Sequence, residues 1–192
     1  MIAFTQRIRL AVADDHPLVV LAIERLIANA QNIEIVCRAQ DSTGLVEALE
    51  NQECDVIIMD FYMPGGEYGD GIDLIKYTVE HHPESAIVVL SMTRDADLIA
   101  RALDAGANAV VSKQDRLELI YVAIVTVLAH EDYLGPALAL GAAYTYTYTD
   151  VKGYTTVSEQ QRPHEVRSIR FADGLRVVQA HGHLRGRHRS VG

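Results

Sequence analysis

Residues 55–65 read DVIIMDFYMPG: four apolar residues in a row, Val56 to Met59, run into an acidic one, Asp60, and the chain then breaks at Met63-Pro64-Gly65. A short, continuous, largely β-branched run of this kind is what a strand buried on both faces looks like, and such strands belong to parallel sheets. The pattern repeats in both directions. IRLAVA (8–13) and IEIVCRA (33–39) come before it, and AIVVLSM (86–92) and AVVSK (109–113) follow. Between these runs lie PLVVLAIERLIANA, STGLVEALENQ, GIDLIKYTVEHH, ADLIARALDAG and DRLELIYVAIVTVLAH, each with apolar residues at helical spacing. Five strands alternating with five helices predict an α/β fold, a doubly wound five-stranded parallel sheet, followed by an irregular C-terminal tail.

The punctuation agrees. Pro17 is expected at the start of the first helix, where its missing N–H costs nothing. Asp41-Ser42 offers an N-cap to the second helix, and Gly106 a stop to the fourth. After His130 the regularity ends. EDYLGPALALGAA contains a Gly-Pro break, and AYTYTYTD (143–150) is a Tyr/Thr alternation suited to an extended linker or a strand.

Composition narrows the class. With 49% hydrophobic and 22% charged residues in 192, a purely disordered chain is excluded and one ordinary core is affordable. The apolar stretches break too soon for a membrane span, and MIAFTQRIRLAV has no signal-peptide pattern, so a cytoplasmic location is expected. Cys37 and Cys54 sit in apolar contexts and read as small reduced hydrophobes. The net charge of -9 is uneven: residues 162–192 carry seven Arg against two acids, whereas the preceding chain is strongly acidic. Only the tail could favour nucleic acid electrostatically.

In an open parallel sheet, ligand chemistry collects at the carboxyl ends of the strands. Asp14 and Asp15 close the first strand, Asp60 the third, Ser91 the fourth and Lys113 the fifth. Clustered carboxylates repel one another, and Mg²⁺ is the hard cation that one or two carboxylates plus water and phosphate oxygens would hold. One carboxylate could then attack an incoming phosphorus atom while the metal and the Lys113 ammonium neutralise its oxygens. A hydroxyl at Ser91 could hydrogen-bond the transferred group. Taken singly, the acidic pair could be a helix N-terminal charge cluster, Asp60 a loop start and Lys113 a solvated lysine. Their convergence from four strand ends is what favours the chemical reading. His16, next to Pro17, reads as a turn residue, and His81 and His82 as helix-end imidazoles.

ADDHP (13–17), DFYMPG (60–65), LSM (90–92) and GANAVVSK (106–113) resemble the receiver domain of two-component response regulators, a flavodoxin-like fold, here over residues 7–130. The resemblance implies Asp60 as phosphoacceptor, and Asp14, Asp15, Asp60 and the backbone carbonyl of Tyr62 as the Mg²⁺ set. It also implies Ser91 as switch hydroxyl and Lys113 as the phosphoryl-facing lysine. A sensor histidine kinase or histidine-phosphotransfer protein would donate the phosphoryl group, and the regulator, not itself an enzyme, would act as a homodimer or heterodimer. DDHPLVVLAIERL, DSTGLVEAL and MPGGEYGDGIDLIKY are similar to the branch that carries a LuxR-type helix-turn-helix, the Rcs phosphorelay regulators in particular, with GGEYGDG (65–71) the most distinctive stretch. Two positions depart from the general pattern: Val110 stands where many receivers have a switch aromatic, and Gln114 where a proline is frequent.

Residues 131–150 then read as linker. RPHEVRSIRFADGL (162–175) resembles the opening helix of a LuxR-type module, but RVVQAHGHLRGRHRSVG lacks the spacing of a scaffold or recognition helix. Residues 151–192 are therefore expected to be a degenerate or truncated remnant, disordered in the simplest reading. A metal site from His181, His183 and His188 is the sharper alternative, and the arginines would give only salt-sensitive phosphate contacts. Transcription regulation is the nominal output, with DNA binding left open. The alternative is a stand-alone receiver working through protein contacts. A haloacid-dehalogenase-type phosphatase would need Asp-x-Asp where Asp14-Asp15-His16 stands, and a flavodoxin-like FMN binder would need a phosphate loop that is missing.

Overall fold

The computed structural model describes residues 7–28, 30, 32–136 and 138, together with the backbone of 165–171 and 176–181. The elements alternate as the apolar runs predict: β1 (Ile8–Ala13), α1 (Pro17–Ile27), β2 (Ile33–Ala39), α2 (Ser42–Asn51), β3 (Val56–Asp60), α3 (Gly71–His81), β4 (Ala86–Ser91), α4 (Ala96–Asp104), β5 (Ala109–Ser112) and α5 (Glu118–Leu128). The strands lie in the order β2-β1-β3-β4-β5 and all these pairs are parallel.

Along β3 the side chains alternate between two cores, as the two-residue period of a strand requires. Val56 and Ile58 join Ile23 and Ile27 of α1 and Ile120, Ile124 and Val127 of α5. Ile57 and Met59 join Leu45 and Leu49 of α2, Leu74 and Ile75 of α3 and Ile99 and Leu103 of α4. Every residue of β3 is buried, so the central strand is covered on both faces. The helices change sides between α1 and α2, which makes the carboxyl ends of β1 and β3 the place where a crevice opens.

The local signals act as expected. Pro17 opens α1, and the Asp41 carboxylate accepts from the Gly44 N–H at 2.8 Å, capping α2. Gly106 ends α4 with a φ of 112°, and a side chain there would meet Val79 at 2.6 Å. Both cysteines are free and buried, and burial pushes the Cys54 thiol up to about 11, which keeps it inert at neutral pH.

The sheet runs on past its fifth strand. β6 (Asp132–Leu134), within the stretch read as linker, pairs in parallel with β5. Two further strands, β7 (Glu165–Phe171) and β8 (Arg176–His181), follow as an antiparallel pair, with β7 alongside β6. Where resemblance implies an opening helix, the backbone of Glu165–Phe171 is thus a strand. The Tyr/Thr stretch 143–150, His183, His188 and the remaining residues of the expected remnant lie outside the described residues. Among the described residues no helix is long and apolar enough to cross a membrane.

Tyr133 of β6 is 1% exposed, and among the described residues its hydroxyl has no hydrogen-bond partner. A buried, unsatisfied hydroxyl costs free energy that a hydrogen atom in its place does not. Tyr133→Phe is therefore expected to raise stability by about 1 kcal/mol, read as a higher urea midpoint with an unchanged slope. A lower midpoint would mean that the hydroxyl is satisfied.

Candidate functional site

Four strand ends build the crevice. Asp14 follows β1 and is held by its N–H to the Ala39 carbonyl at 3.1 Å. Asp60 is the last residue of β3, and the next N–H, from Phe61, bonds the Leu90 carbonyl at 2.7 Å. Lys113 follows β5, its N–H on the Ser91 carbonyl at 2.8 Å. The three side chains meet: Lys113 Nζ lies 2.7 Å from Asp14 Oδ2 and 2.7 Å from Asp60 Oδ2. Asp14 is fully buried, Asp60 is 5% exposed, and the Lys113 side chain is 11% exposed. Charges so far out of water persist only when paired.

The pairing is incomplete. Burial pushes the Asp60 carboxyl above the ordinary carboxylate range, and the Asp14 charge adds to this, although Lys113 and the Tyr62 N–H pull the other way. Burial also works against the Lys113 charge, but Asp14 and Asp60 outweigh it and hold the ammonium above its ordinary value. Asp14 Oδ2 touches the ammonium as an ion pair, yet it has no well-directed hydrogen bond among the described residues. Oxygen or nitrogen atoms of Asp14, Asp15, His16 and Asp60 all fall within 4.8 Å of one another. Three carboxylates against one ammonium leave negative charge in a confined space.

That donor set fits Mg²⁺. It offers three carboxylates gathered about a single ammonium, with the excess negative charge a divalent cation would balance. The residues that would hold the cation are Asp14, Asp15 and Asp60.

Ser91 closes β4 one residue beyond Leu90, the partner of Asp60 in the sheet, and is 3% exposed. Its hydroxyl accepts from the Thr93 N–H at 3.1 Å. Tyr62 is 66% exposed, and its backbone N–H faces the Asp60 carboxylate. Val110, at the position where an aromatic switch would sit, is 1% exposed inside the core. His16 does more than make a turn: Nδ1 lies 2.5 Å from Asp15 Oδ1 and 3.4 Å from Asp14 Oδ1. Its adjacency to the acidic pair was the only signal for this.

The description "response regulator receiver domain" matches residues 10–125. The transcriptional regulatory protein RcsB of Escherichia coli K12 is 38% identical over 103 residues, 54% of this chain and 48% of the relative. The fimbriae Z protein of Salmonella typhimurium is 35% identical over 118 residues, 62% and 55% of the two chains. The chain thus spans about half the length of the curated relatives it matches. Among solved structures, the isolated REC domain of RcsB from Salmonella enterica serovar Typhimurium, in the presence of phosphomimetic BeF₃⁻, superposes with a TM-score of 0.68 at 29% identity. The match covers 71% of this chain and 99% of that one. An RcsB–DNA complex matches with a TM-score of 0.68 at 29% identity over 72% of this chain and 68% of the other.

Proposed function

The chain belongs to the response regulator receiver family, and on that premise we propose that it is a phosphorelay switch that takes a phosphoryl group on Asp60. The observation that carries this reading is the Lys113 ammonium 2.7 Å from both Asp14 and Asp60, inside a confined cluster of carboxylates. A carboxylate oxygen of Asp60 attacks phosphorus as the bond from phosphorus to the donor breaks. With a phosphohistidine donor, from a sensor kinase or a phosphotransfer protein, the leaving imidazole takes up a proton. Lys113 meets the charge on the phosphoryl oxygens, and the Ser91 hydroxyl hydrogen-bonds the transferred group. A Mg²⁺ ion on Asp14, Asp15, Asp60 and the Tyr62 carbonyl would supply charge neutralisation during transfer.

Phosphorylation adds roughly -1.5 to -2 charge to an already acidic rim. Lys113 and Ser91 can answer it only by redistributing their contacts, which biases the β4–α4 and β5–α5 loops toward a second arrangement. With Val110 in the aromatic position, the readout is a dimer surface, of this chain with itself or with another regulator, rather than a ring flip. The receiver body carries the switch and takes in β6, whose Tyr133 and Leu134 are buried against β5; the chain from 151 onward stands where relatives of the transcription-regulating type carry their output module.

The test is direct. Incubated with acetyl phosphate and Mg²⁺, the intact protein should gain the mass of one phosphoryl group, and EDTA should suppress the gain. Equal labelling with and without the chelator would sink the metal-assisted reading.

A further inference from the structure

The loop between β3 and α3 is anchored by residues that lie far from it in sequence. Its neck is closed by the Gly71 N–H on the Phe61 carbonyl at 2.8 Å, and its near side is pinned by Met63, which is fully buried. The far side rests on α2. Thr43 Oγ1 accepts from the Glu67 N–H at 2.8 Å, and Ser42 Oγ accepts from the Tyr68 N–H at 3.2 Å. Neither hydroxyl is needed to cap the helix, because Asp41 does so. Ser42 is fully buried, and Gly66 passes so close that a Cβ there would lie 2.0 Å from Ser42 Oγ and 2.7 Å from Ser42 N. The Tyr68 ring then meets Tyr77 of α3 at 4.8 Å, and Tyr77 stacks on His81 at 4.0 Å.

The loop holds Gly65, Gly66, Gly69 and Gly71. So glycine-rich a segment has many conformations to lose, and ordering it at the moment of cation binding would weaken that binding. Two hydroxyls donated by another element order it beforehand. We propose that Ser42 and Thr43 are positioning residues for the Asp60 site, holding the 61–71 loop so that the Tyr62 carbonyl is presented to the cation in advance. This rests on the proposed Mg²⁺ set. It adds to that set two residues on α2 that touch neither cation nor phosphoryl group.

Calorimetric titration of Mg²⁺ into the full chain tests it. The double variant Ser42→Ala, Thr43→Ala should bind Mg²⁺ on the order of tenfold more weakly than wild type. Gly66→Ala should do the same from the loop side of the contact, and Thr43→Ser alone, which keeps the hydroxyl, should bind as wild type does. Val127→Ala, a core truncation on the opposite face of the sheet, controls for general loosening: it should lower the melting temperature and leave the Mg²⁺ Kd unchanged. Wild-type affinity in the double variant overturns the positioning role, as does an equal loss in Val127→Ala. A wild-type protein that binds no Mg²⁺ overturns instead the reading of the site itself.

Discussion

Asp60→Asn is expected to gain no phosphoryl mass under conditions that label the wild type, and to melt no lower than the wild type at pH 7. The first part follows from the nucleophile: an amide oxygen does not form the acyl phosphate, and Asp14, the other buried carboxylate on Lys113, is not at the end of β3. The second follows from burial. The Asp60 carboxyl is held above its ordinary value, so its ionisation opposes folding. For a carboxylate raised in the folded state, that cost is absent below the unfolded value of about 3.9 and fully present above the folded value. Asn removes the cost while its oxygen can still accept from Lys113, which keeps Asp14 at 2.7 Å. The advantage of the variant should therefore shrink as pH falls through the acid range, measured as melting temperature from pH 7 to pH 4. A variant labelled as fully as wild type removes Asp60 as the acceptor. A variant that melts well below wild type at neutral pH means that Lys113 over-compensates the burial of Asp60.

The parts of this protein that sequence makes legible are those governed by local rules. Strand and helix periods, Pro17 at a helix start, Asp41 as a cap and Gly106 as a stop each depend on neighbours a few residues away, and each takes the expected place. The grouping of Asp14, Asp60 and Lys113 needs one more step, the rule that strand ends share a rim, and that step also holds. What stays hidden depends on partners distant in the chain. Nothing in DYL, followed by Gly135-Pro136, marks a strand. β6 forms because the edge of β5 has groups to satisfy, with the Tyr133 N–H reaching the Asn108 carbonyl and the Gly135 N–H the Val110 carbonyl, both at 2.9 Å. The second role of Ser42 is hidden for the same reason. Next to Asp41 it reads as part of a cap, but its hydroxyl serves Tyr68, twenty-six residues on. His16 is an intermediate case, since its neighbours are visible but the direction of its ring is not.

Lys113→Ala should have the largest effect on stability, and Mg²⁺ should reverse it. Removing one member of a buried ionic group costs about 3–5 kcal/mol, because the charge left behind has neither water nor a partner. Here two carboxylates are left, Asp14 fully buried and Asp60 nearly so. The urea midpoint in EDTA should therefore fall steeply at pH 7. It should fall less as pH is lowered, because Asp60, already held above its ordinary value, can take up a proton and end the repulsion. Mg²⁺ brings two positive charges to the same oxygens, so it should stabilise the variant by more than it stabilises the wild type, whose ammonium it must share the space with. At a concentration one hundred times the dissociation constant, binding alone contributes about 2.7 kcal/mol, most of what the substitution removed. A midpoint that ignores Mg²⁺ would place the cation elsewhere. A midpoint unchanged by the substitution would mean that the carboxylates reach water once the lysine is gone, and that Lys113 serves the phosphoryl group without also holding the rim together.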